Sequence, residues 1–170
     1  MSSCPAAARV PARSGATAGS SAPARILAQL AGEGARLVAS PRRRVFPGRP
    51  DQVGQARRFV ARALDGCPAA DDAVLCASEL ASNAIQHTRS GQDGRFQVLV
   101  WRGRTSACVA VIDDGAGPGP APRSPGPGDL AESGHGLRVV ADLAAAWGHQ
   151  ELGPAGLPGR AVWFQLIWPL

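Results

Sequence analysis

The sequence predicts an α/β fold built as a two-layer sandwich, with a mixed, largely antiparallel sheet and its helices gathered on one face. Three observations predict it. Residues 51–64 and 71–88 carry two consecutive stripes of apolar residues at helical spacing. Residues 95–101 and 106–113 are two β-rich runs around a turn at Gly103, a connection short enough to require antiparallel pairing. A stretch dense in Pro and Gly then separates that pair from a further helical stripe and two closing strands.

In chain order, residues 1–40 are rich in Ala, Ser, Gly, Pro and Arg without a clean period, and too little apolar surface is present there to offset chain entropy. A disordered leader is expected over 1–40, and the folded domain over 41–170. Residues 26–38 hold scattered Leu and Ala that suit a short helix, interrupted by Gly32 and Gly34. RRVFPG, from Arg43, reads as a short strand closed by Pro47 and Gly48. Pro50 and Asp51 open a helix whose stripe is Val53, Ala56, Phe59, Val60, Ala63 and Leu64, and Gly66 stops it.

The helix over 71–88 organises the chain. At 100° per residue, Asp72, Cys76, Glu79, Asn83, Gln86 and His87 fall on one arc, and Val74, Ala77, Ala81, Ala84 and Ile85 on the other. A helix with two unlike faces has two unlike neighbours. The loop through Ser90, Gly91, Asp93 and Gly94 leads into RFQVLVW, and SACVAVID follows as a buried central strand. The Pro/Gly stretch to about Ser133 reads as a mobile flap. GHGLRVVADLAAAWG is then a glycine-led helix with Leu137, Val140, Ala141, Ala144 and Trp147 on one stripe. A strand near 147–152 and AVWFQLIW close the chain.

Composition bounds the function. The 170 residues fit one domain with a tail, and a folded part of roughly 125 to 130 residues buries about two thirds of its surface. All 18 basic residues are Arg, a pattern that fits coding bias, so the net charge of +5 is weak support for nucleic-acid binding. Direct nucleic-acid binding is not expected. Cysteines 4, 67, 76 and 108 make no CxxC and no zinc spacing, and read as apolar fillers in a reducing compartment. With neither a signal-peptide core nor an apolar span near 20 residues, a cytoplasmic protein away from membranes is expected.

Three strings carry chemistry. Glu79 and Asn83, at i,i+4, project side by side; a carboxamide oxygen is a hard ligand for Mg²⁺, and a neighbouring carboxylate can accept a proton from an attacking hydroxyl. Asp113, in DDGAG at the end of a buried strand, can accept a hydrogen bond from an exocyclic amine such as that of adenine, with Gly115 and Gly117 letting a flat ring approach. GHGL, at 134–137, offers free backbone amides at a helix start to phosphates. Each string alone is also what a solvated helix face or an ordinary turn presents. A chain without Lys has no Walker A loop, so ATP binding must use another design.

Their order and spacing resemble the GHKL (Bergerat-fold) ATPase superfamily, in which ELASN, DDGAG, the flexible stretch and GHGL would be the N box, the G1 box, the lid and the G2 box. Within it, SELASNAIQHT, VIDDGAGP, GHGLRVVADLAAAWG and the closing VWFQL are similar to the small anti-sigma-factor serine/threonine kinases of actinobacterial type. The likeness covers about residues 43–168. It implies a histidine-kinase-like ATP-binding domain with Asn83 as the Mg²⁺ ligand and Glu79 as catalytic base. It also implies Asp113 as adenine reader with Gly115 and Gly117 shaping its pocket, and Gly134, His135, Gly136 and Leu137 around the phosphates. Two features depart from the pattern: His135 stands where many relatives have Arg, and Arg123 is the sole cation of the lid. His87, one turn beyond Asn83, is expected either to face the nucleotide or to make a structural hydrogen bond.

The implied function is an ATP-dependent serine/threonine protein kinase acting on a STAS-type anti-anti-sigma partner and binding a sigma factor, with a homodimer among the implied assemblies. The alternative is a nucleotide-gated protein-binding module without phosphotransfer. A stand-alone histidine-kinase catalytic domain is disfavoured, because no His precedes His87 to accept phosphate.

Overall fold

The computed structural model describes residues 40–115, 135–152 and 159–169. Strand β1 (Arg42–Pro47) is followed by helices α1 (Gln52–Ala63) and α2 (Ala70–His87) and a 3-10 turn at Arg89–Gly91. Strands β2 (Arg95–Arg102) and β3 (Ser106–Asp113) come next, then helix α3 (His135–Leu143) and strands β4 (Ala146–Glu151) and β5 (Arg160–Ile167). The strands lie in the order β1-β2-β3-β5-β4. All four pairings are antiparallel, so the sheet is more regular than the mixed one expected.

Period-2 alternation gives the sheet two distinct faces. Phe96, Val98 and Val100 of β2, Val109 and Val111 of β3 and Phe164 of β5 turn toward the helices and share one core with Ala56, Val60, Leu80, Ala84 and Val140. Aromatic contacts fix α1 to the edge: Phe46 stacks on Phe96 at 5.3 Å between ring centres and meets Phe59 edge-on at 6.1 Å. Leu99, Trp101, Cys108, Ala110, Ile112, Ala161 and Trp163 point the other way and form a second buried cluster, to which no described helix contributes.

The helix α1 stripe lies as its spacing predicts, with Ala56, Val60, Ala63 and Leu64 buried and Val53 and Phe59 packed beside them. Gly66, at φ +73°, then reverses the chain toward α2. Two expectations need correction. Cys76, assigned to the polar arc of the second helix, is fully buried; the buried set is Ala73, Cys76, Ala77, Leu80, Ala81 and Ala84, so the inward face is rotated toward the Glu79 side. Helix α3 stops at Leu143, short of Ala144 and Trp147, because the Ala145 N–H donates to the Gln165 carbonyl at 2.9 Å and the chain is drawn into the sheet. Strand pairing overrides the helix propensity of the alanine run there. The expected leader at 1–40 and the flap lie outside the described residues, except for the Ser40 at the entry to β1 and for Gly115.

Candidate functional site

Helix α2 carries both polar side chains of interest along one shoulder. Glu79 and Asn83 are half-buried, one turn apart, while Ala77, Leu80, Ala81 and Ala84 sink into the core. Neither Glu79 nor Asn83 makes a side-chain hydrogen bond or ion pair among the described residues, so their oxygens remain available. The start of α3 closes on this shoulder. A Cβ added to Gly136 would lie 3.1 Å from Glu79 Cβ and 3.3 Å from its Cδ, and closer still to Oε2. Only a residue without a side chain lets the α3 N-terminus approach the Glu79 carboxylate this closely. Beneath them the Cys76 thiol is pushed up to about 11 by burial, with the Asp72 and Glu79 carboxylates adding to the shift. It is an inert thiol, not a nucleophile.

Asp113 sits at the end of central strand β3, 4% exposed. Its Oδ1 accepts the Gly115 N–H at 2.8 Å, and its Oδ2 is 3.7 Å from the Arg160 Nε across the β3–β5 pairing. Burial raises its pKa, while the Gly115 N–H and the Arg160 charge act the other way and Glu151 and Asp114 add to the rise. Gly115 has φ +64°, in the left-handed region, and turns the chain away just beyond the carboxylate.

This strand tip is tied to the end of α2. The Arg89 N–H donates to the Gly115 carbonyl at 3.2 Å. Ser90 is wholly buried; its hydroxyl donates to the Arg95 carbonyl at 2.7 Å and accepts the Asp114 N–H at 2.9 Å. The Asp114 carboxylate in turn accepts the Arg95 N–H at 3.2 Å. Thr88 caps the turn by accepting the Ser90 N–H and donating to the Ala84 carbonyl. One helix therefore carries Glu79 and Asn83 on its shoulder and anchors the Asp113 loop through its C-terminal turn.

Among the residues singled out by sequence, Glu79 and Gly136 meet, Asn83 lies one turn further along the same helix, and Asp113 and Gly115 form the second corner. Leu137 is buried in the core, which makes its described role one of packing α3. His87 is exposed at the helix end and forms no hydrogen bond among the described residues. Gly117, Arg123 and Gly134 lie outside the described residues, and His135 is described only as the first residue of α3. Sequence reasoning passed over Ser90, Asp114 and Arg160. The hydroxyls flanking Arg89 before Gly91 were a readable signal of a capped helix exit; Arg160 shows its importance only through register with Asp113.

Chemically, the site pairs a hydrogen-bond acceptor at a glycine-flanked strand end with hard oxygen donors beside a glycine-led helix start. That combination suits a purine at one end and phosphates at the other. No group of three or more His, Cys, Asp or Glu able to hold a metal occurs among the described residues. Asn83 nevertheless fits Mg²⁺, which takes few protein oxygens and fills its shell from phosphates and water.

No match was found among curated proteins. The family model of histidine kinase-like ATPase domains matches residues 46–163, from Phe46 of β1 to Trp163 of β5, and so spans both corners of the site. With that match running through the greater part of the chain, the chain belongs to the histidine kinase-like ATPase domain family, an ATP-binding module of the GHKL superfamily.

Proposed function

We propose that this ATP-binding domain is a regulatory serine/threonine protein kinase that phosphorylates a STAS-type anti-anti-sigma partner and holds a sigma factor when that partner is absent. The observation that carries the reading is the close approach of Gly136 at the α3 start to the Glu79 carboxylate, which has no partner among the described residues. A domain that only bound nucleotide would have no need of a carboxylate pressed against the phosphate end.

In this reading Asp113 accepts the adenine amine, and the turn at Gly115 leaves room for the ring beside it. The Asn83 carboxamide oxygen would hold Mg²⁺, which would supply charge neutralisation on the phosphates when bound. The free amides at the start of α3 take phosphate oxygens, favoured by the positive end of the helix dipole. Glu79 accepts the proton of the attacking serine hydroxyl as the oxygen bonds to the γ-phosphorus and the bond to the ADP oxygen breaks. Gly136 keeps the α3 amides next to that carboxylate, so phosphate and base face each other without intervening bulk. Partner specificity and the sigma factor rest on the sequence resemblance. The cytoplasm is the compartment this role requires, and no described helix is long and apolar enough to cross a membrane.

Nucleotide titrations with and without Mg²⁺ test the binding half. Asp113→Ala abolishes adenine-nucleotide binding, and Asn83→Ala binds nucleotide with no Mg²⁺ dependence. Mass spectrometry of STAS-domain proteins incubated with the wild type and Mg-ATP tests the other half. A +80 Da phosphoserine on one of them is the expected product. Nucleotide binding that changes partner affinity while leaving every partner unmodified would establish the gated-module alternative.

A further inference from the structure

The entry to β5 is pressed against the tip of β3. A Cβ added to Gly159 would collide with the Asp113 carbonyl oxygen, so a glycine there is what allows the two backbones to meet. The Leu152 N–H holds the same point from the β4 side by donating to the Gly159 carbonyl at 2.9 Å. Arg160, the next residue, is fixed by register: it pairs with Asp113 of β3 on one side and with Glu151 of β4 on the other. Cross-strand partners project from the same face, and alternation puts this row on the side of Val111 and Phe164, facing the helices. Arg160 is 5% exposed there, and its Nε stands 3.7 Å from Asp113 Oδ2.

A buried ion pair adds little to stability by itself, because the hydration lost by two charges offsets their attraction. What it supplies here is a fixed position and a fixed charge. Asp113 Oδ1 is engaged by the Gly115 N–H and Oδ2 by the Arg160 charge, so turning the carboxylate out of its plane gives up both. Both oxygens keep lone pairs beyond those contacts. The charge state is contested. Burial favours the protonated form, the Gly115 N–H and the Arg160 guanidinium oppose it, and the Glu151 and Asp114 carboxylates add to the push of burial. Of these two opposing groups only Arg160 carries a full charge, and a guanidinium keeps that charge across the whole working range of pH.

We propose that Arg160 is a positioning residue that sets base selectivity: it keeps the Asp113 carboxylate ionised and acceptor-only, so that the site takes a 6-aminopurine and rejects a 6-oxopurine. The role rests on the proposed reading of Asp113 as acceptor for the adenine amine. The 6-amino group of adenine donates, whereas the 6-oxo group of hypoxanthine or guanine only accepts. An ionised carboxylate opposite a 6-oxo group leaves two acceptors facing each other. A protonated carboxyl can donate to that oxygen, so a site without the Arg160 charge would admit both bases wherever Asp113 had taken up a proton.

The test is calorimetric binding of ADP and inosine diphosphate to the full chain between about pH 5.5 and 8.5. The two ligands share their phosphates, so the ratio of their affinities cancels the phosphates' own titration. Wild type should prefer ADP throughout. Arg160→Gln should lose about tenfold or more of that preference at the acid end and regain it as pH rises and Asp113 ionises, and Arg160→Lys should restore it by returning the charge. His149 of β4, which feels both Arg160 and Glu151, titrates in the same window, so His149→Gln is the control and should leave the ratio as in wild type. A wild-type ratio in Arg160→Gln overturns the proposal, as does a loss that is equal at every pH and not rescued by Arg160→Lys, or the same shift in His149→Gln. ADP binding that survives Asp113→Ala removes the adenine reader and the role of Arg160 with it. ADP binding lost in Asp113→Ala, with an unmoved ratio in Arg160→Gln, removes the role of Arg160 alone. Should Arg160→Gln fail to fold, the carboxyl carbon shift of Asp113 in ¹³C-labelled wild type decides. A carboxylate ionised from about pH 6 to 8 supports the proposal, and one already protonated at about pH 7 overturns it.

Discussion

The two corners of the site are held together by different physics. At the strand tip, Asp113, Asp114 and Gly115 are fixed by a chain of hydrogen bonds through Ser90, Arg89 and Arg95, with Arg160 beside the carboxylate. At the helix pair, Glu79 and Gly136 meet by shape alone, and the carboxylate is left without a described hydrogen-bond partner. A polar network fixes a position and tolerates little change in its members. Steric contact without hydrogen bonds leaves the group free to bond something that arrives. Under the proposed function, recognition belongs to the first corner and reaction to the second.

Glu79→Gln should give the largest effect and break the comparison most sharply. The amide keeps the packing against Gly136 but loses the base, so phosphoryl transfer should fall by roughly 10²- to 10⁴-fold while nucleotide affinity holds. Single-turnover phosphate transfer alongside equilibrium nucleotide binding separates the two. Transfer at the wild-type rate would take the reaction away from this corner.

Ser90→Ala addresses the other corner. It strands the Asp114 N–H and the Arg95 carbonyl, at a cost of about 1–3 kcal/mol in denaturant unfolding with an unchanged slope. Nucleotide affinity should weaken as the Asp113 loop loosens, with transfer at saturating ATP little altered. If Ser90→Ala instead slowed transfer as much as Glu79→Gln, the corners would be one coupled unit.

The two corners also differ in how far they could be read from sequence. Glu79 and Asn83 were legible because i,i+4 spacing on a helix places side chains together without reference to anything distant. The strand-tip position of Asp113 was legible because SACVAVID ends in it. Arg160 was not, since its pairing with Asp113 depends on β5 inserting next to β3 instead of beside its sequence neighbour β4 alone. Cys76 was placed on the wrong side because its wheel angle falls beside Asp72 and Glu79, whereas the buried face, from Ala73 to Ala84, is turned toward that side by packing that the wheel does not contain. Helix α3 was read too long for a related reason: its alanines favour helix locally, and the strand pairing that captures Ala145 is a long-range event. The two-faced sheet followed from alternation, but the burial of its outer side did not, because burial is a tertiary relation that alternation leaves unspecified.

Gly115→Ala sharpens the recognition corner further. A Cβ there would meet Gly159 Cα at 3.5 Å, an ordinary contact, so the expense is conformational: about 1–2 kcal/mol for an L-residue held at φ +64°. Binding should weaken by no more than that strain implies, and a loss of affinity far beyond it would mean that the turn itself touches the nucleotide.

The smallest expected effect lies at the edge of the same corner. His149 on β4 has its pKa lowered from 6.5, first by burial and then by the Arg160 charge, against the pull of Glu151. A depressed histidine pKa means that the folded state binds the proton less well than the unfolded chain does. Its contribution is therefore complete above the unfolded value and is lost as pH falls through 6.5 toward the lower folded value. His149→Gln removes the titration, so the melting temperature of the variant should decline less than that of the wild type between about pH 7 and pH 5. The difference should shrink in Arg160→Gln, where the repelling charge is gone, and this dependence distinguishes an electrostatic origin from burial alone. Parallel pH profiles for wild type and His149→Gln would show that the charge cluster around Asp113 does not extend to β4, confining the polar corner to the β3–β5 seam and the exit of α2.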